Sequence, residues 1–153
     1  MNRLLRHPYT NLFFVVVFST FYATVFFITA GNERFIAALA TTHYAAGTLM
    51  AGWSALLASG GQAYIAGGLL VITAMLIVLL ITHRCPYDEY HTAVLLNCFV
   101  VSLALILLAI AALFCVVLLD PAGIVEKFML FILIHWATVL ACDAVYTLTY
   151  GRK

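Results

Sequence analysis

In this 153-residue chain, the side chains with the most chemical capacity lie inside two long apolar runs. His135, Cys142, Asp143 and Tyr146 stand in the last run, and Asn97 and Cys98 stand in the run before it. Ionisable groups are expensive inside a bilayer, so they are the first places to look for function. His135, Cys142 and Tyr146 follow one another at intervals that put all three on one face of a helix. Asp143 lies roughly 80° from His135 around that helix, from a turn of 3.6 residues. Counting inward from the near end of each run places Asn97 and Cys98 at the depth of Asp143, roughly 10 Å at 1.5 Å per residue. Three readings follow, one being that Asp143 reaches the interface and pairs with Arg84 or Arg152. An Asn97–Asp143 hydrogen bond fastens two helices, such bonds being worth about 0.6–2 kcal/mol. Alternatively, Asp143, Asn97 and His135 handle a proton or cation.

Cys98, Cys142 and Asp143 contain the donor types of a soft-metal site, but buried free cysteines mostly behave as small hydrophobes. No metal is assigned. Haem ligation asks for facing axial ligands, and His7, His43, His83 and His91 all fall at the ends of the runs. No cofactor is expected. The cysteines, Cys85, Cys98, Cys115 and Cys142, form no C-x-x-C pair. The densest polar cluster is His83-Arg84-Cys85-Pro86-Tyr87-Asp88-Glu89-Tyr90-His91. Within it, His83, Arg84, Asp88, Glu89 and His91 are candidate contacts for a cytoplasmic partner. The simpler reading is a tight loop whose acids favour a helix N-terminus and whose tyrosines anchor at an interface.

The elements that must carry these residues follow from composition. Sixty-six per cent of the chain is hydrophobic and 8% is charged, with 7 basic and 6 acidic side chains. An average soluble domain is about 45–50% apolar and about 25% charged, so a soluble enzyme is excluded. The net charge of +1 supplies no basic field for nucleic acid. A bilayer core needs roughly 20 apolar residues per helix. Runs at about 11–30, 63–82, 91–119 and 123–150 meet that demand, and Pro8, Pro86 and Pro121 all fall outside their interiors. Asp120-Pro121 reads as the cap and first residue of the last helix. Gly31 and Gly60-Gly61 read as helix stops. The first run is longer than the roughly 7–15 residues of a signal-peptide core and is read as a retained span.

The segment 32–59 is rich in Ala, Thr, Ser and Gly. If it does not span, Arg3, Arg6, Arg84, Arg152 and Lys153 share one side, against Arg34 and Lys127 on the other. That asymmetry fits the preference of Lys and Arg for the cytoplasm, with both termini inside. The segment then lies along the outer interface as a helix. Its bulky face, Phe35, Leu39, Leu49, Met50, Trp53, Leu56 and Leu57, suits lipid. Its small face, which includes Gly47, Ala51 and Ala55, suits close helix packing.

The expected fold is one all-α membrane domain. It is a four-transmembrane-helix bundle with an extra amphipathic, interfacial helix between the first and second spans. The expected location is a plasma membrane of the bacterial inner-membrane type. The expected partners are lipid and a second copy or a larger membrane complex, with no nucleic acid. The leading functional expectation is a protein that acts by assembly, as an accessory subunit or homo-oligomer, without catalysis. The alternative is a small ion- or proton-coupled transporter or channel that uses Asp143, Asn97 and His135.

Overall fold

The computed structural model describes residues 8–32, 34–35, 45, 47–82 and 89–150. Their regular elements are five helices: α1 (Pro8–Ala30), α2 (Leu49–Ala58), α3 (Gln62–Thr82), α4 (Glu89–Leu119) and α5 (Ile124–Tyr150). No strand occurs among the described residues. Four segments are long and apolar enough to cross a membrane: Leu12–Ala30, Gln62–Thr82, Thr92–Leu119 and Ile124–Leu148. The short α2 between the first two is compatible with the extra helix read from the sequence.

α5 is the hub. It packs against α1, α2, α3 and α4, while α1 also packs along α3. α4 leans chiefly on α5 and makes no extended contact with α1. Side chains meet across the spans: Ser19 meets Thr73 across α1 and α3, and Tyr22 meets His135 across α1 and α5. The apolar core gathers where α1, α3 and α5 converge. Phe26 and Trp136 are wholly buried there, with Tyr22, Ala23, Leu76, Ile132 and Leu140 around them. α4 keeps most of its surface outward, including Val100, Leu103, Leu107 and Leu118. Such exposure is stable against hydrocarbon, which solvates leucine as well as another helix does.

A hydrogen-bond chain ties the three core helices. The Trp136 indole donates to Ser19 Oγ at 3.1 Å, and the Thr73 hydroxyl reaches the same oxygen at 3.2 Å. Ser19 is buried, so this oxygen has no water to turn to and the two partners replace it. At the α2 end of the bundle, Gln62 is fully buried. With its amide turned to match donors to acceptors, it donates to the Leu57 carbonyl at 3.0 Å and accepts from the Ala30 N–H at 3.3 Å. One side chain thus links the end of α1, the end of α2 and the start of α3.

The ends of α2 are explicit in its sequence. The Thr48 hydroxyl accepts from the Ala51 N–H at 3.2 Å, as an N-cap does. At the other end the Gly61 N–H reaches the Leu56 carbonyl at 2.8 Å and the Gly60 N–H reaches that of Leu57 at 3.0 Å. That pair of bonds is a Schellman stop, with Gly60 supplying the left-handed residue at φ +74°. The expected glycine stop is therefore present. The expected orientation of the helix is reversed. Trp53, Ser54 and Leu57 are buried against the bundle, whereas Gly47 and Ala55 are exposed and Ala51 is half-buried. Burial of a tryptophan and a leucine removes more apolar surface than burial of alanines, and the indole finds an acceptor there. Gly47 has φ +83°, so it serves a turn.

The connection from α4 to α5 also differs from expectation. Asp120 does not cap α5, which begins at Ile124. Its carboxylate instead accepts from the Ala122 N–H at 3.0 Å and from the Lys127 ammonium at 3.0 Å. The buried Lys127 ammonium also donates to the Asp120 carbonyl and to the Ala122 carbonyl. The Lys127 hydrogen bond, then the Ala122 N–H, hold the exposed Asp120 carboxyl below its ordinary range. A depressed carboxyl contributes stability above its ordinary pKa and loses it as pH falls toward the folded-state value.

Two outcomes follow. A Cβ at Gly61 would stand 2.8 Å from Leu56 Cγ and 2.9 Å from the Leu56 carbonyl oxygen. Gly61→Ala should therefore lose about 1–3 kcal/mol in a denaturant titration in mixed micelles. Gly52→Ala, where a Cβ meets nothing within 4 Å, should not. In the second test, carbon-detected NMR titration of Asp120 should give a midpoint below that of an ordinary carboxyl. Lys127→Met should move that midpoint upward; an unchanged midpoint would remove the ion pair from the account.

Candidate functional site

α5 carries the candidate residues, and the helices beside it divide them. α1 and α4 flank α5 without closing on one another, leaving a cleft of about 230 Å³. Phe14, Val15 and Phe18 of α1 form one wall, and Leu95, Phe99, Leu103 and Ile106 of α4 form the other. Its polar lining is Ser102 and Cys98 from α4 with His135, Cys142 and Asp143 from α5. The eight-residue interval from His135 to Asp143 is a little over two turns, so both reach the same cleft about 12 Å apart along the helix.

His135 is held from three sides. Its Nδ1 hydrogen-bonds the Tyr22 hydroxyl. Phe131, one turn back on α5, stacks on the imidazole with centroids 6.1 Å apart, and Phe18 meets it edge-on at 6.5 Å. The Tyr22 ring in turn packs on Trp136 and Phe18. The Tyr22 hydroxyl thus orients the imidazole from α1.

Asp143 is buried, with its residue 7% exposed. The next turn supports it: the Thr147 hydroxyl donates to the Asp143 carbonyl at 2.7 Å. Tyr146 is buried beside these residues on α5. Cys98 and Cys142 are free thiols, half-buried where α4 meets α5. Among the described residues no three His, Cys, Asp or Glu side chains gather as a metal-ligand set.

Asn97 does not join this cleft. It lies with Cys98, Val101 and Leu105 of α4 and Thr138, Ala141, Cys142 and Val145 of α5 in a second groove of about 340 Å³. Cys98 and Cys142 line both spaces, so the α4–α5 seam separates Asn97 from Asp143. The two side chains line different spaces. Asn97 and Cys98 lie across the helix pair from Cys142, but the azimuth was not legible. A step of one residue turns about 100°, which carries Asn97 to the far side of the seam from Leu95, Phe99 and Ser102.

Of the loop candidates, His83, Arg84 and Asp88 lie outside the described residues, while Glu89 and His91 fall in the first turn of α4. A different acid emerges at the opposite end. Glu126 is 1% exposed, beneath α2. The Trp53 indole donates to its carbonyl at 2.9 Å and the Ser54 hydroxyl approaches its Oε1 at 3.5 Å. In sequence, Glu126-Lys127 resembles the solvated start of a helix. Only the docking of α2, 72 residues earlier, buries it.

The chain matches no known family model, no curated protein and no solved structure in comparison with each.

Proposed function

We propose that this is a small integral membrane protein that couples movement of a proton or small cation to the intramembrane cleft between α1 and α4. The observation that carries the reading is the convergence of Asp143 and His135 on that one cleft within the spanning helices. Asp143 is the titratable carboxyl and His135 the second proton-transfer group, with Tyr22 as a positioning residue that holds the imidazole. The walls are hydrocarbon and aromatic, so a charge entering the cleft is stabilised by the few polar groups there. A volume near 230 Å³ is below the roughly 300–1,000 Å³ of drug-sized pockets. It suits an ion or a very small solute.

The apolar cleft walls give the charge requirement its strength. Removing the carboxylate leaves no other acid among the groups that line the space. Asn97, part of the expected set, has no place in this reading because it opens to the other side of the seam. That separate position favours the second reading, action through assembly.

Purified protein in proteoliposomes, with an imposed potential and an internal pH dye, tests the transport reading. Wild type should conduct protons, and Asp143→Asn should reduce the flux at least tenfold while leaving the folded helix content intact. His135→Gln should lower it less. Equal flux from wild type and Asp143→Asn would remove the cleft from the mechanism.

A further inference from the structure

Cys98 and Cys142 are the residues that line both spaces beside the α4–α5 seam. At that level the wall between cleft and groove is therefore built from this pair, one thiol from each helix. Both are free and half-buried. They lie close enough to interact electrostatically with each other and with Asp143, and the Ser102 hydroxyl hydrogen-bonds the Cys142 thiol. A single buried cysteine packs as a small hydrophobe. Two set together in one seam, beside a carboxyl, form a pair of soft donors that can be approached from either space.

The donors at hand decide which ion fits. Hard cations such as magnesium and calcium take a shell of oxygen ligands, and the side chains lining the cleft supply oxygen only from Ser102 and Asp143. Tetrahedral zinc needs a larger set of nitrogen and sulfur ligands, whereas no three His, Cys, Asp or Glu side chains gather among the described residues. A soft monovalent d10 ion, copper(I) or silver(I), is satisfied by a pair of sulfur ligands on opposite sides of it. Binding forms two metal–sulfur bonds. One thiol gives up its proton to the medium, and nothing is oxidised or reduced. The product, one thiolate, one thiol and one monovalent ion, is neutral, which avoids the cost of a net charge in hydrocarbon.

We propose that Cys98 and Cys142 bind one soft monovalent metal ion, copper(I) or silver(I), between α4 and α5. The ion sits in the wall of the cleft that holds His135 and Asp143, so the site names the class of cation the cleft admits. It rests on the transport reading for passage of the ion. Binding at the two thiols is separate from flux and is read without it.

Purified full-length protein, reduced and held without oxygen, is titrated with copper(I) against a chromogenic copper(I) chelator. Cys85→Ser and Cys115→Ser in the parent protein leave the pair as its only cysteines. The parent should hold one equivalent, with affinity rising about tenfold per pH unit while the thiols are protonated, because one proton is released. Losing a ligand costs more than the roughly 10–100-fold typical of outer-shell partners, so Cys98→Ser or Cys142→Ser should weaken binding at least about 100-fold. X-ray absorption on the copper-loaded parent should show two sulfur neighbours, a readout that stands even if a serine variant fails to fold. Less than one equivalent bound, affinity unchanged in both serine variants, or copper with oxygen and nitrogen neighbours would overturn the proposal. Proton flux through the same parent in vesicles separates the two failures. Asp143-dependent flux without copper binding removes the sulfur site alone, and copper binding without flux removes the transport reading alone.

Discussion

A polar side chain in hydrocarbon has only other protein groups to bond with, and that constraint organises this molecule around α5. The Trp136 indole shares Ser19 with Thr73, His135 takes Tyr22, and the start of α5 receives the Trp53 indole. Each of these bonds joins α5 to a different part of the chain or bridges the two helices beside it. Apolar packing between helices is weakly directional in a bilayer, since lipid is an equivalent neighbour. The hydrogen bonds therefore do more than their number suggests to set which faces meet.

α4 shows what packing on a single neighbour allows. It is 31 residues long and rests chiefly on α5. At 1.5 Å per residue it extends about 46 Å, well beyond a hydrocarbon core of roughly 30 Å. Leaning on one neighbour, it opens a space on either side of the seam. On one side α1 stands opposite and makes a cleft with Asp143 and His135; on the other side no described residue outside α4 and α5 lines the groove, and Asn97 is exposed there. The two spaces share Cys98 and Cys142, so movement of α4 against α5 alters both.

Much of this arrangement was legible in the sequence. Run lengths and the absence of internal prolines located the four long apolar helices, and Gly60-Gly61 marked the stop between α2 and α3. The depth of Asn97 and Cys98 relative to Cys142 followed from counting residues along antiparallel helices. Rotation about the helix axes was not legible. Every span is apolar on all sides, so no face of it is marked as inward and a one-residue step decides whether Asn97 meets Asp143. The orientation of α2 misled for a related reason. Bulky residues were assigned to lipid, although Trp53 and Leu57 are what the bundle buries. Glu126 went unnoticed because its burial depends on contact with a helix 72 residues away.

The central claim is that Asp143, in the cleft between α1 and α4, carries the protein's proton or cation chemistry. A hydrophobic carbodiimide, which enters from lipid and attacks protonated carboxyls, reads this directly when adducts are located by peptide mass spectrometry on protein recovered from flux-active vesicles. The account predicts that Asp143 takes the reagent and that flux falls in proportion to its occupancy. Full modification of Asp143 with flux unchanged, or loss of flux with Asp143 unmodified, would contradict it.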